Sequence, residues 1–217
     1  MSDHKRVIVI FPHPDDETFG AGGTLASLTE AGAEVTYWCG TLGEMGRNMG
    51  NPVFANRETL SSYRKKELEE AAAVLGVGVV HLGYRDKTIE FEVLEEMVTH
   101  LRTKLEEEKP DLVITHYPGY AVHPDHDALG RAAVEAIKEM DEDVRPDVWL
   151  HAISNDSVRE LGEPAILTDI SEYWDTKWKA IRTHLSQADG MVDLINREDQ
   201  LERLKTERFY TLDQLKS

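Results

Sequence analysis

Apolar and polar positions along the chain alternate between two rhythms. Continuous apolar runs at Val7–Phe11, Val35–Cys39, Val77–Leu82, Leu112–His116 and Val148–Ile153 are rich in β-branched residues and bounded by turn formers. That pattern predicts buried strands. Ile166–Ile170 predicts a sixth, shorter one. Between these runs the apolar residues recur at helical spacing, over Thr18–Ala31, Tyr63–Leu75, Phe91–Glu108, roughly Asp127–Met140, and Ser171–Ser186. Gly32 and Gly76 stand where helix stops belong. A last helical stretch is predicted over Asp193–Glu207. Strands alternating with helices argue for an α/β, Rossmann-like fold with a mainly parallel sheet and helices on both faces. With 217 residues, no internal repeat and no linker, residues 1–217 are expected to form a single domain. The charge-rich Lys138–Asp147 stretch reads as a surface loop.

Two polar segments interrupt this pattern at matching places. The first strand runs directly into His13, Pro14, Asp15, Asp16 and Glu17, followed by Gly20, Gly22 and Gly23. The fourth runs through Tyr117 and Tyr120 into His123, Pro124, Asp125 and His126. Both segments open a predicted helix. In a doubly wound sheet such loops lie at the carboxyl ends of the strands, and ligands bind at the point where strand order reverses. The first and fourth strands are often the neighbours flanking that point, which would bring the two segments to one crevice. A third segment, Thr41–Asn56, is rich in Gly and Asn and long for a connection, and long ordered loops are often functional.

The side chains on the first two loops suit metal-assisted hydrolysis. His13, Asp16 and His126 make a set of two nitrogens and one oxygen. Zinc accepts such a set and keeps a position open for water, and ferrous iron accepts it as well. Asp15, next to ligand Asp16, is the candidate base for a water whose pKa the metal lowers. One histidine of the second motif can bind metal while the other faces substrate. His123, when protonated, can stabilise an oxyanion and give a proton to a leaving amine, with Asp125 orienting it. The bland readings are helix caps at Asp15 and Asp127 and an ordinary His-Pro-Asp turn. Two such segments at two strand ends favour the metal-hydrolase reading over coincidence.

Charge and composition narrow the partners. Lys plus Arg number 24 against 41 Asp plus Glu, a formal net charge of −17. Nucleic acid and anionic membrane surfaces are therefore not expected partners, since both need basic contacts. Cys39 is the only cysteine, which fits a reducing compartment. No apolar run approaches the roughly 20 residues of a membrane span, and the first strand begins within a few residues of Met1. The expectation is a cytoplasmic protein. The oligomeric state is left open, a homo-oligomer included.

At these residues the sequence resembles the PIG-L/LmbE-like family of zinc-dependent N-deacetylases. His13 to Glu17 and His123 to His126 match its two core motifs. Gly40 to Gly50, Phe54 to Leu60 and Leu82 to Thr88 resemble the second type of bacillithiol-pathway deacetylase in particular, and the likeness covers nearly the whole chain. The resemblance implies a zinc ion on His13, Asp16 and His126, Asp15 as general base, and His123 as electrophile or acid oriented by Asp125. It further implies that Arg64 and Asp86 contact the sugar; a solvated helix arginine and a turn aspartate are the plain alternatives. Glu44, Arg47 and Asn48 are weaker substrate-contact candidates on the long loop. His184 matches a C-terminal family pattern without an assigned role. Mycothiol-pathway members carry a tyrosine two residues before the first histidine of the second motif, where this chain has Ala121.

The implied substrate is N-acetylglucosaminyl malate, an amino-sugar conjugate, with Arg47, Arg57 or Arg85 available to its carboxylates. Alternatives within the class are free N-acetylglucosamine, a chito-oligosaccharide or another thiol conjugate. Outside it stand a nucleotide-binding α/β domain and a metal-binding protein without turnover. Gly20, Gly22 and Gly23 do not follow the dinucleotide fingerprint spacing, which argues against the former.

Overall fold

The computed structural model describes residues 4–188 and 204–216. Seven strands form one mixed sheet among these residues: β1 (Arg6–Phe11), β2 (Glu34–Cys39), β3 (Gly78–His81), β4 (Leu112–His116), β5 (Asp147–His151), β6 (Ile166–Asp169) and β7 (Thr206–Thr211), in spatial order β3-β2-β1-β4-β5-β7-β6. The helices are α1 (Asp16–Glu30), α2 (Leu60–Leu75), α3 (Leu94–Glu108), α4 (Pro124–Lys138), α5 (Ser157–Leu161) and α6 (Trp174–Ile181).

The first strand shows why its sequence is apolar without alternation. Ile8 and Ile10 face a core shared with Leu101 of α3 and Leu129 and Ala133 of α4. Val7, Val9 and Phe11 face a second core with Leu25 of α1, Leu68 of α2 and Ala180 of α6. A parallel strand covered on both faces must be apolar at every position. β1 pairs in parallel with β2 on one side and β4 on the other, Val7 against Leu112 and Ile10 against Thr115. β1 and β4 are therefore the neighbours at the switch point, and their carboxyl ends open side by side.

Two predicted elements differ. The stretch read as a helix to Glu207 ends instead in strand β7, which pairs antiparallel with both β5 and β6; residues 193–203 of that reading lie outside the described residues. The physical reason is Glu207 itself. It is buried with Lys177, whose Nζ lies 2.6 Å from Oε1, and it accepts N–H bonds from Gly23 and Thr24 of α1 at 2.9 and 2.7 Å. An inward-facing charge hides a strand from any pattern search. The helix predicted over Ser171–Ser186 is shorter: α6 stops at Ile181, and His184 lies in the turn beyond it.

Candidate active site

The loop after β1 and the N-terminus of α4 converge as the sequence predicts. His13 Nδ1 lies 3.1 Å from His126 Nε2 and 3.4 Å from Asp16 Oδ2, and His126 Nε2 lies 3.2 Å from Asp16 Oδ1. Other nitrogens and oxygens crowd the same spot, so His123, His116, Asp86 and Asp125 fall into overlapping groups capable of holding an ion.

The hydrogen bonds fix which atoms face the centre. His126 Nδ1 donates to the Ala121 carbonyl at 3.0 Å, leaving the Nε2 lone pair inward. His13 Nε2 lies 3.3 Å from Asp125 Oδ2 and 3.2 Å from Asp86 Oδ1, so its proton sits there and Nδ1 is the free lone pair. Outer carboxylates and carbonyls of this kind set the tautomer of ligand histidines. Two ring nitrogens and a carboxylate then converge on one point, an arrangement suited to a cation. Ligands at about 2.0–2.1 Å around a tetrahedral ion stand about 3.3 Å apart, which matches the observed spacings. Charge points the same way. Burial lowers the pKa of His13, yet its bonds to Asp125, Asp16 and Asp86 lift it well above the ordinary value. Burial opposes ionisation of Asp16 too, but His126, His116 and His13 hold it well below the usual range. The donor set fits a divalent metal.

Asp15 adjoins this centre. Its side chain makes no capping bond to α1; Arg64 Nη2 holds the carboxylate at 2.9 Å. Burial pushes Asp15 up to about 6, against the pull of Arg64. Arg64, itself buried, also donates through Nη1 to the Gly43 carbonyl at 2.9 Å and through Nη2 to the Pro14 carbonyl. Gly43 has φ of +62°, and a Cβ there would stand 2.0 Å from Arg64 Nη1, so only glycine leaves room for the guanidinium.

The hydrogen bonds give several of these residues partners beyond those the sequence suggests. Asp125 does not hold the His123 ring. Its carboxylate accepts from Lys87 N at 2.6 Å and Ile89 N at 3.1 Å and contacts His13. His123 is the extended N-cap of α4, whereas Asp125 lies in the first helical turn, where its carboxylate meets the 87–89 backbone. His123 Nδ1 instead accepts the Asp125 backbone N–H at 3.2 Å, so the ring carries its proton on Nε2. Burial, then His13 and His126, lowers the His123 pKa. Asp86 lines the cavity above the centre, receiving Met45 N at 2.7 Å and contacting His13. Arg64 lines it too, bonded to Asp15 and the two loops. Glu44 Oε1 accepts from Asp86 N at 3.0 Å and tethers the long loop. Asp127 is no cap, since it lies inside α4 and accepts from Gly119 and Ala121.

An open cavity of about 550 Å³ sits above the centre, with Asp15, His123, Arg47, Arg64, Phe19 and Lys87 among its lining. Arg47 is therefore at the mouth as expected. Arg57 donates to the Gly46 carbonyl at 2.7 Å, and neither it nor Arg85 lines the cavity. Lys87 was missed, being one charge among many on a turn. So was His116, buried with Nε2 3.9 Å from Asp16 Oδ2, beyond hydrogen-bond reach, and stacked on His126 with ring centroids 4.2 Å apart. Tyr117 and Tyr120 spend their hydroxyls on Gln214 and Glu160 and serve packing. No helix among the described residues is long and apolar enough to cross a membrane.

Comparison with known proteins agrees with this architecture. Residues 8–137 match the family model of the GlcNAc-PI de-N-acetylases (PIG-L). A Bacillus cereus protein named "Probable N-acetyl-alpha-D-glucosaminyl L-malate deacetylase 2" is 44% identical, the alignment covering 95% of this chain and 97% of that one. Among solved structures, the N,N'-diacetylchitobiose deacetylase of Pyrococcus horikoshii superposes with a TM-score of 0.74 at 27% identity, over 98% of this chain and 85% of that one. A 4-carboxy-2-hydroxymuconate hydratase from Pseudomonas putida superposes at 0.76 with 20% identity, over 96% of each chain, a likeness of fold alone.

Proposed function

The chain belongs to the GlcNAc-PI de-N-acetylase family, and from that premise we propose that it is a metal-dependent hydrolase that removes the acetyl group from N-acetylglucosaminyl malate. The observation that carries the reaction class is the meeting of His13 Nδ1, His126 Nε2 and Asp16 within 3.1–3.4 Å, beside an aspartate gripped by a buried arginine. The likeness to the Bacillus cereus protein, nearly end to end, supports the substrate. We take residues 1–217 as one catalytic domain.

His13, Asp16 and His126 hold the ion, which we assign as zinc. When bound, it supplies Lewis acidity that polarises the acetyl carbonyl and acidifies water. The chain's own residues supply the rest. Asp15, fixed by Arg64, accepts the proton of the attacking water. His123 Nε2–H faces the developing oxyanion and the leaving nitrogen, a role that neutral imidazole performs through its bound proton. Asp125 and Asp86 hold the His13 ring in its ligating tautomer. As the amide C–N bond breaks, the proton taken up by Asp15 passes to the nitrogen, the water oxygen stays on the acetyl carbon with its second proton lost to solvent, and acetate and the free amine depart. Arg47 and Lys87 at the mouth meet the malate carboxylates, concentrating positive charge locally on a strongly acidic protein.

The test is acetate release from a panel of N-acetylglucosaminyl malate, N-acetylglucosamine and diacetylchitobiose, each with zinc and with ferrous iron. The proposal expects the highest kcat/KM for the malate conjugate. Equal or better turnover of the neutral sugars would move the substrate assignment to them.

A further inference from the structure

Glu17 and His184 form a closed pair behind the candidate base. Both are 0% exposed. Glu17 Oε1 lies 3.0 Å from His184 Nε2, and Glu17 Oε2 accepts the backbone N–H of Asp15 at 2.9 Å. His184 Nδ1 has no partner, so Glu17 is the one hydrogen-bond partner its ring has among the described residues, and the ring proton on Nε2 points at that carboxylate. The turn that delivers His184 is itself anchored: Gln187 N and Ala188 N donate to the His184 carbonyl at 2.9 Å, and Ser186 gives its N–H and hydroxyl to Glu67.

The peptide held by this pair is unusual. Asp15 has φ 117° and ψ −28°, a left-handed conformation for a residue with a Cβ. Such a conformation is strained for a residue with a Cβ and persists only where the surroundings enforce it. Arg64 fixes the carboxylate end of Asp15, and Glu17 fixes its backbone end. Glu17 alone could not be trusted with this task. A buried carboxylate with a single N–H partner is free to rotate about its side-chain torsions. The bond from His184 sets its rotamer.

We propose that His184 is a positioning residue that acts through Glu17 to hold the Asp15 peptide in its left-handed conformation, and so aims the catalytic base. The inference rests on Asp15 being the base of the proposed hydrolase. Without the relay, the Asp15 N–H loses its acceptor, the peptide relaxes, and the carboxylate swings away from the attacking water. A displacement of about 1 Å at a catalytic group can cost 10²-fold in rate.

The experiment compares His184→Ala, His184→Gln and Glu17→Gln as zinc-loaded proteins. His184→Ala is expected to lose roughly 10²-fold in kcat with KM nearly unchanged and one metal per chain retained. His184→Gln, whose amide N–H can still reach Glu17, should recover most of that loss. Combining His184→Ala with Glu17→Gln should cost little beyond either alone, because the two act as one unit. An activity-independent readout is hydrogen exchange at the Asp15 amide, protected in the parent protein and fast in His184→Ala. Unchanged kcat, failure of the Gln variant to rescue, or an Asp15 amide equally protected in His184→Ala would each overturn the proposal. Absence of acetate release by the parent protein would instead overturn the hydrolase reading, and the amide exchange would still decide the relay.

Discussion

His13 Nδ1 and His126 Nε2 face each other at 3.1 Å although 113 residues separate them in the chain. Both project lone pairs into the same space as the Asp16 carboxylate, because Asp125 with Asp86 and the Ala121 carbonyl hold the opposite ring nitrogens. The site is thus assembled from two strand ends, with its ring nitrogens held from behind.

Metal removal should therefore destabilise the fold as well as stop turnover. A ligand at a hundred times its Kd stabilises by about 2.7 kcal/mol. For a chain of this size that is roughly 5–10 °C in Tm. Chelation should produce that fall in a thermal melt, and His126→Ala should abolish the difference between loaded and chelated protein.

Arg64 is expected to matter for rate more than for affinity. Arg64→Lys keeps the charge but loses the fork that reaches Asp15, Pro14 and Gly43 together. A kcat lower by roughly 10²–10³-fold is expected. Gly43→Ala should reproduce part of this loss, since its Cβ would enter the guanidinium's space. Steady-state kinetics on both variants checks the claim.

Substrate charge should be read at the mouth of the cavity. Arg47→Glu combined with Lys87→Glu is expected to raise KM for the malate conjugate by at least tenfold, about 1.4 kcal/mol. KM for neutral N-acetylglucosamine should stay where it was. Parallel rises for both substrates would mean that these side chains act on loop structure and not on the carboxylates.

The Lys177–Glu207 pair carries stability and no chemistry. Lys177 also donates to the Phe19 carbonyl at 3.1 Å, so the pair ties α6 and β7 to the helix that bears Asp16. Lys177→Met leaves a buried carboxylate unpaired and should cost about 3–5 kcal/mol. Urea denaturation measures this, and adding Glu207→Gln should restore part of the loss.

Much of this molecule is legible in the chain. Val7–Phe11 followed at once by His13 to Glu17 announces a strand end with a site on it, and Leu112–His116 leading to His123 repeats the message. The residues that contact one another across the fold are less visible. Asp125 looks like the partner of His123 because it is two positions away, yet in the first turn of α4 its carboxylate meets His13. From the residues alone Arg64 and Asp86 read as a solvated helix arginine and a turn aspartate, and Glu44 only as a candidate on the long loop; their bonds to Asp15, His13 and the Asp86 N–H come from tertiary structure. β7 hid because Glu207, a buried charge satisfied by Lys177 on α6, sits where the strand pattern calls for an apolar residue.

The central claim is that Asp15 is the base beside a metal that it does not itself hold. The direct test is acetate release by zinc-loaded Asp15→Ala, with bound metal counted in the same sample. The account predicts one metal per chain and a loss of at least ~10³-fold in kcat. Full metal content with activity within a few-fold of the parent protein would contradict it.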